Sequence, residues 1–200
     1  MAARRRPSIS WNGRAASAPD LTLDAGHVYR YRGEIVPGNT EVLRAFGLIP
    51  EQASQVYLGR GTAAHRATQL ADERDLNWAR LDPGLIGYVE GWLKLKSHGF
   101  EPTLIEVPLF NKTWRFATTL DRAGYWRGDP AIMEIKTGEI EPYVGLQTAA
   151  QALCLDIEVR RFAVHLPGDG TFDLIECKDK LDRGAFLGLL AAYNWRRRHR

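Results

Sequence analysis

Cysteine is scarce: only Cys154 and Cys177 occur in 200 residues. Two thiols cannot build a disulfide framework. They also exclude a four-cysteine iron–sulfur cluster or zinc ribbon made by this chain alone. Such usage fits a reducing cytosol, and a cytoplasmic location is expected. Long hydrophobic runs are missing too: no apolar stretch approaches the roughly 18 residues that a membrane span needs. The arginines near the N-terminus are not followed by the apolar segment of a secretory signal. No membrane partner is therefore expected. Net charge is only +3, so bulk charge names no partner. No internal repeat is visible. What remains is an ordinary globular composition, 44% hydrophobic and 26% charged, in a length that suits one domain with a sizeable core.

The chain divides into a polar, flexible basic segment (1–20), a single domain (21–195) and a basic C-terminal tail (196–200). Arg4-Arg5-Arg6 opens the chain and Arg196-Arg197-Arg198-His199-Arg200 closes it. Each cluster either meets phosphates or stays solvated. A helix ending in the second cluster would also complement its own dipole.

The most informative stretch is Thr113–Gly138. It reads as two strands, about Arg115–Trp126 and Ala131–Lys136, joined by Arg127-Gly128-Asp129-Pro130. A turn centred between Gly128 and Asp129 puts Asp121 opposite Lys136, with Glu134 as the diagonal neighbour. Side chains two apart on a strand, or directly opposed across a pair, share a face. Asp121, Glu134 and Lys136 then share one face, and Met133 and Ile135 point into a core. Two carboxylates so placed can grip a hard cation. A slip of one residue would separate them.

Other segments add candidates. Thr62 is a possible N-cap for a helix to about Asp75, with Ala63, Ala64, Ala67, Leu70 and Ala71 on one face. His65 then falls in the first turn, where the helix dipole disfavours imidazolium and leaves it neutral, either packed or ligating. A small hairpin (His27–Tyr31, Glu34–Val36) and a short helix (Glu41–Phe46) precede it. A helix capped by Asp82 begins at Pro83 and stops at Gly99. Thr103–Phe110 forms a strand bearing Glu106, which is either a solvated edge residue or a ligand for water or a second metal. Tyr143–Leu155 forms a helix carrying Gln147 and Gln151 one turn apart. Val159–Leu166 and Thr171–Cys177 form a last hairpin, before a helix from about Asp179 to Trp195.

The ordered set G-x-x-x-H (Gly61, His65), Asp121, Glu134-x-Lys136 and Gln147 on helix, strand, strand and helix resembles the PD-(D/E)XK nuclease superfamily, in its RecB-like and phage exonuclease branch. It covers about Leu58–Leu155. The resemblance implies an α/β (α+β) restriction-endonuclease-like core, a central mixed sheet flanked by helices. It implies a metal-dependent DNA nuclease, with an exonuclease that processes ends for recombination or repair favoured. A site- or structure-directed endonuclease is the alternative, and a catalytically inactive nucleic-acid-binding module or an assembly protein the rival of another class. In this resemblance Asp121, Glu134 and Lys136 are catalytic. His65, Asp121, Glu134 and the Ile135 backbone carbonyl, with Glu106 as an addition, hold Mg²⁺ or Mn²⁺, and Gln147 approaches substrate. Expected partners are DNA, a single-strand annealing or DNA-binding protein, and further copies of the chain. Two positions depart from the pattern. Gln151 stands where relatives carry tyrosine, and Thr118 where they often carry glycine.

Overall fold

The computed structural model describes residues 20–24, 26–49 and 55–199. The Arg4–Arg6 cluster and nearly all of the 1–20 segment lie outside the described residues.

Three short strands, β1 (Leu21–Leu23), β2 (Tyr29–Tyr31) and β3 (Glu34–Val36), form an antiparallel sheet. The β2–β3 turn is Arg32-Gly33, both at positive φ (52° and 83°), the hairpin geometry whose twist matches its strands. β1 has no counterpart in the expected elements. Helix α1 (Asn39–Ala45) follows and stops at Gly47 (φ 72°), as the sequence suggests.

Helix α2 spans Gln55–Glu73, much longer than expected. Two 3-10 turns (Trp78–Arg80, Pro83–Leu85) lead into α3 (Ile86–Ser97), with the Asp82 carboxylate accepting from the Gly84 N–H at 2.8 Å. A five-stranded mixed sheet comes next, ordered β4 (Phe100–Asn111), β5 (Phe116–Trp126), β6 (Asp129–Lys136), β7 (Arg160–His165) and β8 (Asp173–Glu176). Helix α4 (Tyr143–Leu155) carries the chain from β6 to β7, which run parallel; the other pairs are antiparallel. The last helix, α5, runs Asp182–Arg198. Arg196–Arg198 are therefore helical and not a separate tail. The fold is α+β, a mixed sheet flanked by helices, as expected.

The alternating side chains of β6 divide the interior in two. Ala131, Met133 and Ile135 pack with Trp92, Leu95, Phe162 and Val164, on the face that α3 covers. Ile132 packs with Leu120, Ala123 and Leu155, on the face of α4. Glu134 and Lys136 share the α4 face by strand parity. The small sheet docks on the β4–β5 end: Tyr31 stacks on Phe110 with ring centroids 4.1 Å apart, and the Tyr29 hydroxyl lies 2.8 Å from Thr119 Oγ1.

The β5–β6 register corrects the expected turn. Trp126 pairs with Asp129 and Arg122 with Met133, so the turn is Arg127-Gly128 alone, at φ 51° and 91°. Asp129 and Pro130 belong to β6, where Pro130 faces Tyr125. In this register Asp121 comes level with Glu134, not Lys136. The shift is two residues, so every side chain keeps its face.

Candidate metal and phosphoryl site

The site occupies a gap along one edge of β5. β4 runs the length of its other edge. On this edge β6 covers Arg122–Trp126 and stops there, while the end of β3 reaches Ala117 through a 2.9 Å bond from its N–H to the Pro37 carbonyl. Between these covers lie Thr118–Asp121. The β4–β5 ladder also skips one position, pairing Ile105 with Arg122 and Val107 with Leu120. Among the described residues, Asp121 thus has no ladder partner on either side.

Backbone groups released by the break must find other partners, and side chains supply them. The Ile135 N–H donates to Asp121 Oδ2 at 2.8 Å. Arg122 Nη1 donates to the Asp121 carbonyl at 2.7 Å, and Gln151 Nε2 to the Thr119 carbonyl at 3.2 Å. Glu106, opposite the skipped position, sits at φ 49° inside a strand. That conformation is strained for a residue with a Cβ, and such strain concentrates at functional sites.

His65, Glu106 and Asp121 converge here. Each offers a ligand atom, and those atoms lie within 4.8 Å of one another, so the group could hold a metal ion. His65 comes from the middle of α2. Its Nε2 donates to the Ile135 carbonyl at 3.1 Å, which turns Nδ1 toward Glu106 (3.6 Å) and Asp121 (3.7 Å). The Ile135 carbonyl, expected as a metal ligand, accepts from this imidazole. Glu134 borders the group. Its Oε1 accepts from Lys136 Nζ at 2.9 Å and its Oε2 from Gln151 Nε2 at 2.6 Å. Lys136 Nζ also donates to Gln147 Oε1 at 3.0 Å, so Gln147 meets the site through the lysine.

Burial and mutual repulsion set the protonation states. Burial raises Asp121, and Glu106 raises it further, against a lowering by His65; the net direction is up. Glu134 also rises, from burial and then Asp121, although Lys136 opposes this. Burial lowers Lys136, but Glu134 and Asp121 more than offset it, and the ammonium is held above its usual range. Lys136 is thus a cation in the metal-free protein. Burial likewise lowers His65, yet Asp121, Glu106 and Glu134 outweigh it and take the imidazole to about 9. The neutral imidazole expected from the sequence is therefore overturned for the metal-free protein. Its premise fails, because α2 begins at Gln55. Thr62 is not a cap, and the dipole effect is confined to a helix's end turns.

An unforeseen layer lies behind the site. Arg122 is fully buried. It donates to Glu106 Oε1 (2.6 Å), Asp72 Oδ2 (2.7 Å) and Thr68 Oγ1 (3.1 Å). Asp72 also accepts from Trp92 Nε1 at 3.0 Å and Lys96 Nζ at 2.6 Å. This network ties α2 and α3 to the strained glutamate. Gln151, fully buried, plays the corresponding part for Glu134 from α4. The i, i+4 spacing with Gln147 is visible in the sequence. For Arg122, the only sequence signal is a charged residue at a position whose parity places it in the core.

Neither a scan of the chain against models of known protein families nor a search of curated proteins found a match.

Proposed function

We propose that this protein is a metal-dependent nuclease that hydrolyses DNA phosphodiester bonds with Mg²⁺ or Mn²⁺, in the manner of the PD-(D/E)XK enzymes its motifs resemble. One observation carries the reading. His65, Glu106 and Asp121 come within reach of a common ion at a break in the sheet, with Glu134 and the cationic Lys136 beside them.

The donor set fits such an ion. Two carboxylates suit hard divalent cations, and one imidazole favours Mn²⁺ as a substitute for Mg²⁺. Burial raises the carboxyls of Asp121 and Glu134, and a neighbouring carboxylate raises each further; a bound cation would favour their ionised forms. His65, Glu106 and Asp121 would hold the ion. When bound, a divalent cation there lowers the pKa of an attacking water and offsets charge on the phosphoryl oxygens.

The chain's own groups supply the rest. Lys136, pinned between Glu134 and Gln147, presents a fixed positive charge where phosphoryl charge develops. Gln151 and Lys136 occupy both oxygens of Glu134 and fix its orientation. Arg122 fixes Glu106. The side chains of His65 and Glu106 remain 27% and 24% exposed, so a phosphodiester can approach from solvent.

The test is incubation of the purified protein with end-labelled linear DNA and covalently closed circular DNA, in Mg²⁺, in Mn²⁺ and in EDTA. Metal-dependent shortening of the linear substrate, abolished in Asp121→Ala, is expected. Survival of the circle marks an exonuclease, and cutting of the circle the endonuclease alternative. No cleavage of either DNA under any metal would overturn the reading and leave the binding-module alternative.

A further inference from the structure

The arginines of the C-terminal helix are not absorbed by the catalytic reading. α5 brings Arg197 and Arg198 beside Arg115, from the β4–β5 turn, around a cleft of about 310 Å³. Asn194 and the β3 end (Ile35, Val36, Pro37) complete its lining. No carboxylate lines this cleft among the described residues. Arg197 and Arg198 form no ion pair with any described carboxylate; Arg197 lies over the Tyr193 ring at 6.0 Å. Arg115 does pair with Glu34 at 2.7 Å, but both side chains are more than half exposed (55% and 74%). Such a pair is weak and exchangeable in water. A larger cleft of about 840 Å³, at the start of β7, contrasts with it: acids and bases line that one together and compensate each other.

Position gives the basic cleft a meaning. Pro37 is both part of its lining and the group that covers β5 at Ala117. β5 runs from there to Asp121. From Arg115 to Asp121 the strand extends about 20 Å at about 3.3 Å per residue. That is about six nucleotide steps of a duplex at 3.4 Å. Like charges gathered in a concavity, with only the exposed Glu34 paired to one of them, favour a polyanion.

We propose that Arg115, Arg197 and Arg198 form a phosphate-binding cleft for the backbone of a nucleic-acid strand whose other end lies at the Asp121 site. The continuity with that site rests on the nuclease reading; the binding itself does not. The cleft reads charge and not sequence, since backbone contacts position a strand without specifying it.

The test is fluorescence anisotropy of labelled single-stranded and duplex oligonucleotides with the full-length protein in EDTA, across a range of KCl concentrations. Each phosphate contact contributes about 0.9 to the slope of log affinity against log salt for duplex, and about 0.7 for single strands. The Arg115→Ala/Arg197→Ala/Arg198→Ala variant should lose about 2–3 from the slope's magnitude. Its deficit against wild type should shrink about 40-fold for duplex and about 20-fold for single strands between about 50 and about 200 mM salt, from the same slopes. Lysine at all three positions should restore the slope, because the contact needs charge. If the arginines serve only to complement the α5 dipole, thermal stability falls and the slope stays unchanged, which overturns the proposal. Competition by inorganic phosphate as effective as by oligonucleotide would also overturn it, as would arginine-dependent binding to anionic phosphatidylglycerol vesicles without oligonucleotide binding. Because EDTA removes divalent metal, failure of the nuclease reading leaves this result intact, and failure here leaves the cleavage assay intact.

Discussion

Arg122→Met tests the network behind the site most directly. The substitution keeps an apolar stem of similar length and removes the guanidinium. Asp72, with no side-chain exposure, and Glu106 then lose a shared cation. Removing one partner of a buried ion pair costs about 3–5 kcal/mol, because the other charge is left uncompensated. Asp72 keeps Trp92 and Lys96 as donors, which points to the lower end, about 3 kcal/mol. At about 2 kcal/mol per molar of urea, the unfolding midpoint should fall by about 1.5 M. Among the described residues Glu106 keeps only the longer 3.6 Å contact with His65 Nδ1, and its strained backbone loses the 2.6 Å bond that holds the side chain. Mn²⁺ affinity, titrated on the folded variant, should fall as well. Arg122→Lys provides a milder variant: it keeps the charge, but one ammonium cannot span Asp72, Glu106, Thr68 and the Asp121 carbonyl together. A loss below about 1 kcal/mol in Arg122→Met, the level of an exposed pair, with unaltered Mn²⁺ affinity, would refute the reasoning.

Lys136→Ala should leave oligonucleotide affinity near wild type and reduce cleavage by about 10²–10³-fold, the usual loss for a preorganised charge-stabilising donor; single-turnover rates check this, and a wild-type rate would remove Lys136 from the mechanism. His65 gives a pH dependence. Its folded value of about 9 lies above the ordinary 6.5, so its stabilising effect in metal-free protein is fully present below about 6.5 and lost as pH rises through about 9. Urea unfolding in EDTA should therefore show the advantage of wild type over His65→Asn shrinking between those values. Gln151→Leu leaves the Glu134 Oε2 and Thr119 carbonyl without their donor, at a cost of about 1–3 kcal/mol for the unsatisfied buried groups, measurable in the same assay. At Gly124 a methyl would overlap the Glu101 carbonyl across the β4–β5 pair; Gly124→Ala should lower the thermal midpoint sharply, whereas Gly188→Ala, with open space around it, should not.

Local chemistry made much of this protein legible before any coordinates. Alternation placed Met133 and Ile135 in the core and Glu134 with Lys136 on the opposite face, because strand periodicity is a property of the backbone. The stretch from Tyr143 to Leu155 was readable as a helix for the same local reason. The face shared by Asp121 and Glu134 survived even a misplaced turn, since the error was an even number of residues. Where α2 begins, by contrast, is not a local matter. Thr62 has the chemistry of a cap, yet the helix runs through it from Gln55.

Only the tertiary structure decided which polar groups meet. Arg122, Asp72 and Glu106 are far apart in sequence, and their meeting depends on the β4–β5 pairing and on where α2 packs over it. The gap beside Asp121 exists because β6 departs from β5 at Arg122 and β3 returns to it only at Ala117. The protonation of His65 followed from the carboxylates brought around it, not from its place in a helix. Periodicity assigns a side chain to a face, because it depends on neighbours one and two residues away. Electrostatics and hydrogen bonding depend on neighbours in space, and only packing supplies those.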